Sequence, residues 1–310
     1  MSDIKVAVFG EALFDMIQQD NGDYRPFIGG SPYNVARSFA RQGLDCHYLS
    51  PISTDYLGEQ IYQSVLEENI QVPADNRSVN TTSLALVYKD AQGLPDYRLY
   101  RKSVADLDIA AEKLLDSVPK DLTLLHTGSL ALVPDMLDVL LSVMTELKQR
   151  GVKISVDVNV RKGVERDHQQ YVSAIWQFVK LANIVKVSDE DIQLMGMEGD
   201  CESNALSLLS HMQQGIVVLT EGEKGAQLFT QQKHIKQKVH QPEIFADTVG
   251  AGDTFFSAMI AQLLRDKALQ PDADNEKLAF ALRFASLAAA LNISHVGCHP
   301  PTYSQVAALL

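Results

Sequence analysis

Three cysteines in 310 residues, Cys46, Cys201 and Cys298, are too few and too scattered for a disulfide framework. They read as structural thiols of a reducing compartment. Basic residues are in deficit, with 27 lysines and arginines against 39 aspartates and glutamates and a formal net charge of -12. That excess repels a phosphate backbone, and no basic stripe offsets it, so nucleic-acid binding is set aside. Any anionic ligand must be met locally, by a few Lys or Arg side chains and by helix N-termini. The stretch from Met1 through Phe9 has no basic region, long apolar run or cleavage site. Neither a signal peptide nor a membrane span is expected, and the expected location is cytoplasmic. Pro-rich and Ser-rich linkers are also missing. What is present is an ordinary globular composition, 46% hydrophobic and 21% charged, long enough for one substantial core with a small appendage.

Short apolar runs at Ile4 to Phe9, Leu122 to Leu125, Ile154 to Val158, Ile184 to Val187 and Ile216 to Leu219 read as buried strands. Helical patterns separate them, which predicts parallel βαβ units covered by helices. Ser31 and Pro32 open a helix that Gly43 closes, and Pro134 opens another that Gly151 follows. Ser83 to Lys89 and Tyr97 to Lys102 break this rhythm as β-like runs flanking the turn-rich DAQGLPD. With Phe14 to Ile28 they form a small extra sheet, either a lid over a ligand or an edge hairpin without gating duty. The whole chain, 1–310, is thus expected to be one domain, with this appendage built from about 14–28 and 83–105.

The most informative stretch is Asp247-Thr248-Val249-Gly250-Ala251-Gly252-Asp253-Thr254. Phe256, Met259, Ile260 and Leu263 follow at helical spacing, so the glycines sit where a loop becomes a helix. Small residues let the backbone approach a ligand, and first-turn N–H groups point at negative charge on a phosphoryl group. Asp253 is either a helix cap or a carboxylate beside a phosphate cradle, where a hydroxyl must lose its proton. There is no G-x-x-x-x-G-K-[ST], and Phe255 stands where a dinucleotide fingerprint has its third glycine. Neither a P-loop enzyme nor a dehydrogenase is expected. His295 and His299 invite a metal reading, which Gly297 and the prolines at 300 and 301 oppose by breaking the helical register. Thr302 and Gln305 read as a capping box.

The 247–254 stretch resembles the second signature of the PfkB (ribokinase-like) family of carbohydrate kinases. Gly29-Gly30-Ser31-Pro32-Tyr33-Asn34-Val35-Ala36, with Gly43 and Gly58, resembles the first, and the resemblance runs from Gly10-Glu11 to Gly297. It implies a Rossmann-like three-layer α/β/α sandwich with a small β-sheet lid. The implied activity is transfer of the ATP γ-phosphoryl group to a sugar hydroxyl, with magnesium on the phosphates and Asp253 as base. Backbone groups of Gly250, Ala251 and Gly252 would meet the developing charge.

On the nucleotide side the resemblance carries over Lys186, Thr220, Gly222 and Gly225, the last three in what is otherwise simply a tight hairpin turn. Ser188 and Asp191 stand in for the family's Asn-x-x-Glu near magnesium, although Ser188 could equally be a helix cap. Ser286 stands where many relatives have Asn near the adenine. Asp247 and the carbonyls around Val249 and Gly297 would hold a monovalent cation such as K+. On the sugar side the candidates are Asp15, Gly30, Asn34, Arg101, Asn159 and Arg161. Arg101 is placed on one strand face with Tyr97 and Leu99, and a solvated salt bridge is the plain alternative for Arg161. Tyr100-Arg101 with Ala105-Asp106, Asp157-Val158-Asn159-Val160-Arg161 and Ser188-Asp189-Glu190 look like fructokinase-type members, which makes fructose to fructose 6-phosphate the first expectation. A kinase for ketodeoxygluconate, ribose or a nucleoside is the near alternative. A sugar-binding regulator that lost catalysis is the distant one. By family analogy a homodimer through the small sheet is also expected.

Overall fold

The computed structural model describes residues 4–89, 95–165 and 167–310. The expected turn between Lys89 and Tyr97 falls largely outside them. In chain order the strands are β1 (Lys5–Phe9), β2 (Leu13–Gln18), β3 (Tyr24–Gly29), β4 (Asp45–Tyr48), β5 (Ile52–Ser53), β6 (Arg77–Ser78), β7 (Ser83–Lys89) and β8 (Pro95–Tyr100). They continue as β9 (Leu124–Gly128), β10 (Lys153–Asp157), β11 (Ile184–Ser188), β12 (Ile216–Thr220), β13 (Ala226–Phe229) and β14 (His234–Gln237). The helices are α1 (Ser31–Arg41), α2 (Tyr56–Glu67), α3 (Ala111–Asp116), α4 (Leu137–Gln149) and α5 (His168–Leu181). After them come α6 (Asp189–Leu194), α7 (Cys201–His211), α8 (Ala251–Arg265), α9 (Asn275–Asn292) and α10 (Tyr303–Ala307).

Among the described residues the main sheet has the order β14-β13-β12-β11-β10-β9-β1-β4. It is parallel from β4 to β12, and β13 and β14 extend it as antiparallel strands. Strand alternation divides the core into two halves. Ala7, Phe9, Ile154, Val156, Val185 and Val187 face α4, α5 and α7. Val6, Val8, Ile184, Ile216 and Val218 face α1, α8 and α9. The result is the α/β/α sandwich, each fully buried aliphatic or aromatic side chain contributing about 1.5–3 kcal/mol. β1 lies between β4 and β9, so the winding direction reverses at β1. Ligands of open α/β sheets bind at the carboxyl ends of the strands near such a reversal.

The segments outside the βαβ rhythm do form a separate four-stranded sheet, in the order β3-β2-β7-β8. Leu13, Ala85 and Leu130 make a small core of their own, with Leu99 against it. Among the described residues no helix is long and apolar enough to cross a membrane.

Candidate active site

Gly250 occupies the cap position before α8 with a left-handed φ of 72°. A side chain there would be strained and its Cβ would run into the Cys298 Sγ. The turn therefore delivers Asp253 into the first turn of α8, 8% exposed. Its Oδ1 accepts from Ser31 Oγ at 2.6 Å and its Oδ2 from Asn34 Nδ2 at 2.8 Å. Each oxygen keeps a second lone pair, so the carboxylate can still accept a proton. Two expectations change here. Ser31 does not cap α1; Gly30, at φ 107°, holds the cap position, and the Ser31 hydroxyl is spent on Asp253. Nor are all three backbone donors of the turn available, because the Ala251 N–H closes onto Thr248 O at 3.1 Å.

Lys186 lies buried beneath this turn. A Cβ on the exposed Gly252 would stand 3.5 Å from Lys186 Cε and 3.7 Å from Nζ. The ammonium bonds both carboxylate oxygens of Asp157, at 2.8 and 3.1 Å. Burial works against its charge, but Asp157, Asp191 and Asp253 outweigh that and raise its pKa. Ser188 and Asp191 are committed differently from the metal-side expectation. They form a reciprocal capping box at the start of α6, and the other Asp191 oxygen accepts from Val160 N at 2.7 Å. With Ser188 N and Oγ on Oδ2 and Val160 N on Oδ1, Asp191 is a buried brace. A direct place on magnesium is not what this donor set favours. Among the described residues no cluster of three or more His, Cys, Asp or Glu could cage a metal. Magnesium keeps several waters and commonly binds through substrate phosphates, which such a site accommodates.

The sugar-side candidates gather where β1, β9 and β10 end beside the small sheet. Asp15 on β2 is half-buried, its carboxylate against Gly29, where a Cβ would collide with Oδ2. Burial pushes its pKa up to about 6, with Arg161 opposing. Arg161 is exposed, its Nε 3.5 Å from Ser129 Oγ. Asn159 sits at the end of β10 in left-handed backbone, φ 36°. A Cβ on Gly30 would run into the Glu11 carbonyl, so glycine is required there. Arg101 follows β8 and turns inward to Asp106 Oδ2 at 2.8 Å and Ser83 Oγ at 3.1 Å. Tyr97, expected to share its face, is 59% exposed farther out.

Sequence reasoning gave no role to Glu11, Asp106 or Ser129. Glu11 is 1% exposed, and its Oε2 has no hydrogen-bond partner among the described residues. Burial lifts its pKa to about 7 against the pull of Arg101 and Arg161. The nearest signal in the sequence was the glycine-acid pair at the end of β1, which by itself names no partner.

Thr220 ends β12, and the turn from Gly222 to Lys224 leads to Gly225, at φ 103° and packed on Gln237 O. The Ser286 Oγ accepts from His240 N at 2.9 Å and donates to Lys238 O, so it fixes the segment after β14. Asp247 binds Val249 N at 2.9 Å and Gly297 N at 2.7 Å, joining the loop before α8 to the loop after α9. The Val249 carbonyl accepts from Asn292 Nδ2 at 2.8 Å. Asp247 and the Val249 carbonyl, two of the three expected cation ligands, are therefore bonded within the loop's own framework.

Comparison with known proteins agrees with this fold. The pattern of "pfkB family carbohydrate kinase" matches residues 3–304. The chain is 30% identical to "Probable fructokinase-4" of Arabidopsis thaliana, over 98% of this chain and 96% of that one. It resembles the structure of a fructokinase with bound ATP from Xylella fastidiosa at TM-score 0.87 and 25% identity, covering 98% and 97% of the two chains. It also resembles a Vibrio cholerae O395 fructokinase in fructose, ADP and calcium ion bound form, at TM-score 0.82 and 25% identity over 99% of each chain. The chain belongs to the pfkB family of carbohydrate kinases and is an ATP-dependent sugar kinase.

Proposed function

We propose that this kinase phosphorylates a ketohexose, fructose first, at the primary hydroxyl that yields fructose 6-phosphate. The observation that carries the reading is Asp253 itself. A carboxylate oriented by Ser31 and Asn34 stands in the first turn of α8, next to the exposed Gly252 with Lys186 beneath. Asp15, Asn159 and Arg161 supply acceptors and donors for sugar hydroxyls, each of which needs a partner when buried. The names of the similar proteins, fructokinases from a plant and two bacteria, support fructose over other polyols.

In the reaction the sugar hydroxyl oxygen bonds the γ-phosphorus, the bond to the bridging oxygen of ADP breaks, and the hydroxyl proton passes to Asp253 and then to solvent. The loose transition state lets that proton leave late, so orientation by Asp253 counts for more than its basicity. Magnesium, when bound with the nucleotide, supplies charge neutralisation across the phosphates. Lys186 places a fixed positive charge at the turn, and first-turn amides of α8 meet the developing negative charge. A monovalent cation near Asp247 would act by stiffening the same loop. The four-stranded sheet covers the sugar and excludes water, and a homodimer forms through this same sheet. The free thiols at 46, 201 and 298 accord with a cytoplasmic setting.

A panel of fructose, ketodeoxygluconate, ribose and nucleosides, read by coupled ADP release, tests this directly. Fructose should lead. Strong turnover on a nucleoside or on ketodeoxygluconate with none on fructose overturns the substrate. Thermal stabilisation by sugar without ADP release overturns the catalytic reading in favour of a regulator.

A further inference from the structure

Asp157 and Lys186 are paired residues on the adjacent parallel strands β10 and β11. Strand register therefore puts the two side chains side by side at the carboxyl end of the sheet. Their ion pair is almost wholly buried, with side-chain exposures of 0% and 6%. A buried pair of this kind is weak evidence of a stabilising role, because desolvation offsets much of the attraction. Its location is more informative. The lysine stem passes beneath Gly252, the exposed glycine of the turn that heads α8. The Asp157 backbone is fixed in turn, since its carbonyl fills the space a side chain on Gly128 would need. Val158 N also donates to Lys186 O at 3.0 Å.

We propose that Asp157 is a positioning residue for phosphoryl transfer: it keeps Lys186 protonated and aimed at the turn that receives the nucleotide phosphates. The inference rests on the phosphate-binding reading of that turn given above. The ionisable groups around Lys186 are Asp157 on β10, Asp191 on α6, Asp253 on α8 and His126 on β9. Asp191 is spent on α6 and Val160, and Asp253 is held by Ser31 and Asn34. Burial keeps His126 neutral, with a pKa lowered to about 3. Asp157 alone among them bonds the ammonium directly.

The test is calorimetric binding of ADP, with magnesium present, from about pH 7.5 to about pH 9.5, above the Asp157 pKa, which burial raises to about 6 against the pull of Lys186, and above the titration of the terminal phosphate. Wild type should bind with an affinity independent of pH across this range. In Asp157→Asn burial governs the lysine, its pKa falls, and ADP affinity should drop about tenfold or more as pH rises. Asp157→Glu, which keeps the charge, should restore the flat profile. An Asp157→Asn affinity equal to wild type, or weakened by a factor independent of pH, overturns the proposal. If Asp157→Asn does not fold, Asp157→Asn with Lys186→Met removes both charges and relieves the unpaired group. That double variant should bind ADP as weakly as Lys186→Met, and wild-type affinity in it overturns the proposal. A chain that shows this ADP behaviour but phosphorylates none of the sugars refutes the proposed substrate and leaves this inference intact.

Discussion

Asn34 Nδ2 donates to Asp253 Oδ2 at 2.8 Å, tying the first turn of α1 to the first turn of α8. The two residues are 219 apart in sequence, and one comes from each of the two signature-like motifs. The contact makes those motifs a single device, in which the glycine-rich start of α1 orients the carboxylate at the start of α8. The far end of α1 is anchored as well, since Arg37 and Arg41 bond Glu68 and the carbonyls of Cys298 and Pro300.

Removing that orienting bond should therefore injure the chemical step more than binding. Asn34→Leu is expected to lower kcat by about ten- to a hundredfold with little change in the KM for ATP. Steady-state kinetics with each substrate varied in turn checks this, and an unchanged kcat would contradict it.

Asp15 gives the sugar side a pH signature. Its pKa is pushed up to about 6 by burial, with Arg161 holding it back. Its ionised form, the proposed acceptor for sugar hydroxyls, is lost as pH falls through that value. The KM for sugar should rise below about pH 6 while the KM for ATP stays level, and Asp15→Asn should abolish this acid dependence.

Glu11 should cost stability at neutral pH. Its folded-state pKa, about 7, lies above the ordinary value of 4.5, chiefly through burial. For a raised pKa the stabilising contribution is present below the unfolded value and is lost as pH rises through the folded one. Glu11→Gln, which has no charge to bury, should thus be more stable than wild type by about 3 kcal/mol near pH 8, and by almost nothing near pH 4. Urea melts of both proteins across this range provide the comparison.

Gly30→Ala should be severe. The residue has φ 107°, and a Cβ would strike the Glu11 carbonyl. The combined strain and displacement should cost about 2–4 kcal/mol, visible as a lower Tm, and should raise the KM for sugar by shifting the start of α1.

Much of this was readable from the sequence because it depends on local chemistry. Short apolar runs between helical patterns fixed the parallel layers, Thr302 and Gln305 form the expected capping box, and the Gly250 turn heads α8 as its glycines require. The roles that changed depend on distant partners. Ser31 looks like a cap in any local window, and only the packing of α1 on α8 sends its hydroxyl to Asp253. Ser286 and Asp191 are suitably polar for ligands, but the neighbouring segment 238–240 and the α6 capping box use them first. The Asp157–Lys186 pair follows from β10–β11 register, and register is a property of the assembled sheet. Glu11 stands in a plain loop sequence and acquires meaning only when Arg101 and Arg161 arrive from other elements.

The central claim is that the carboxylate at the head of α8 handles the proton of the acceptor hydroxyl. The most direct measurement is Asp253→Asn, assayed for ADP release with fructose and, on the same sample, for ATP and fructose binding by calorimetry. Turnover should fall by about two to four orders of magnitude while both ligands still bind near wild-type affinity. Turnover close to wild type, with binding intact, would contradict it.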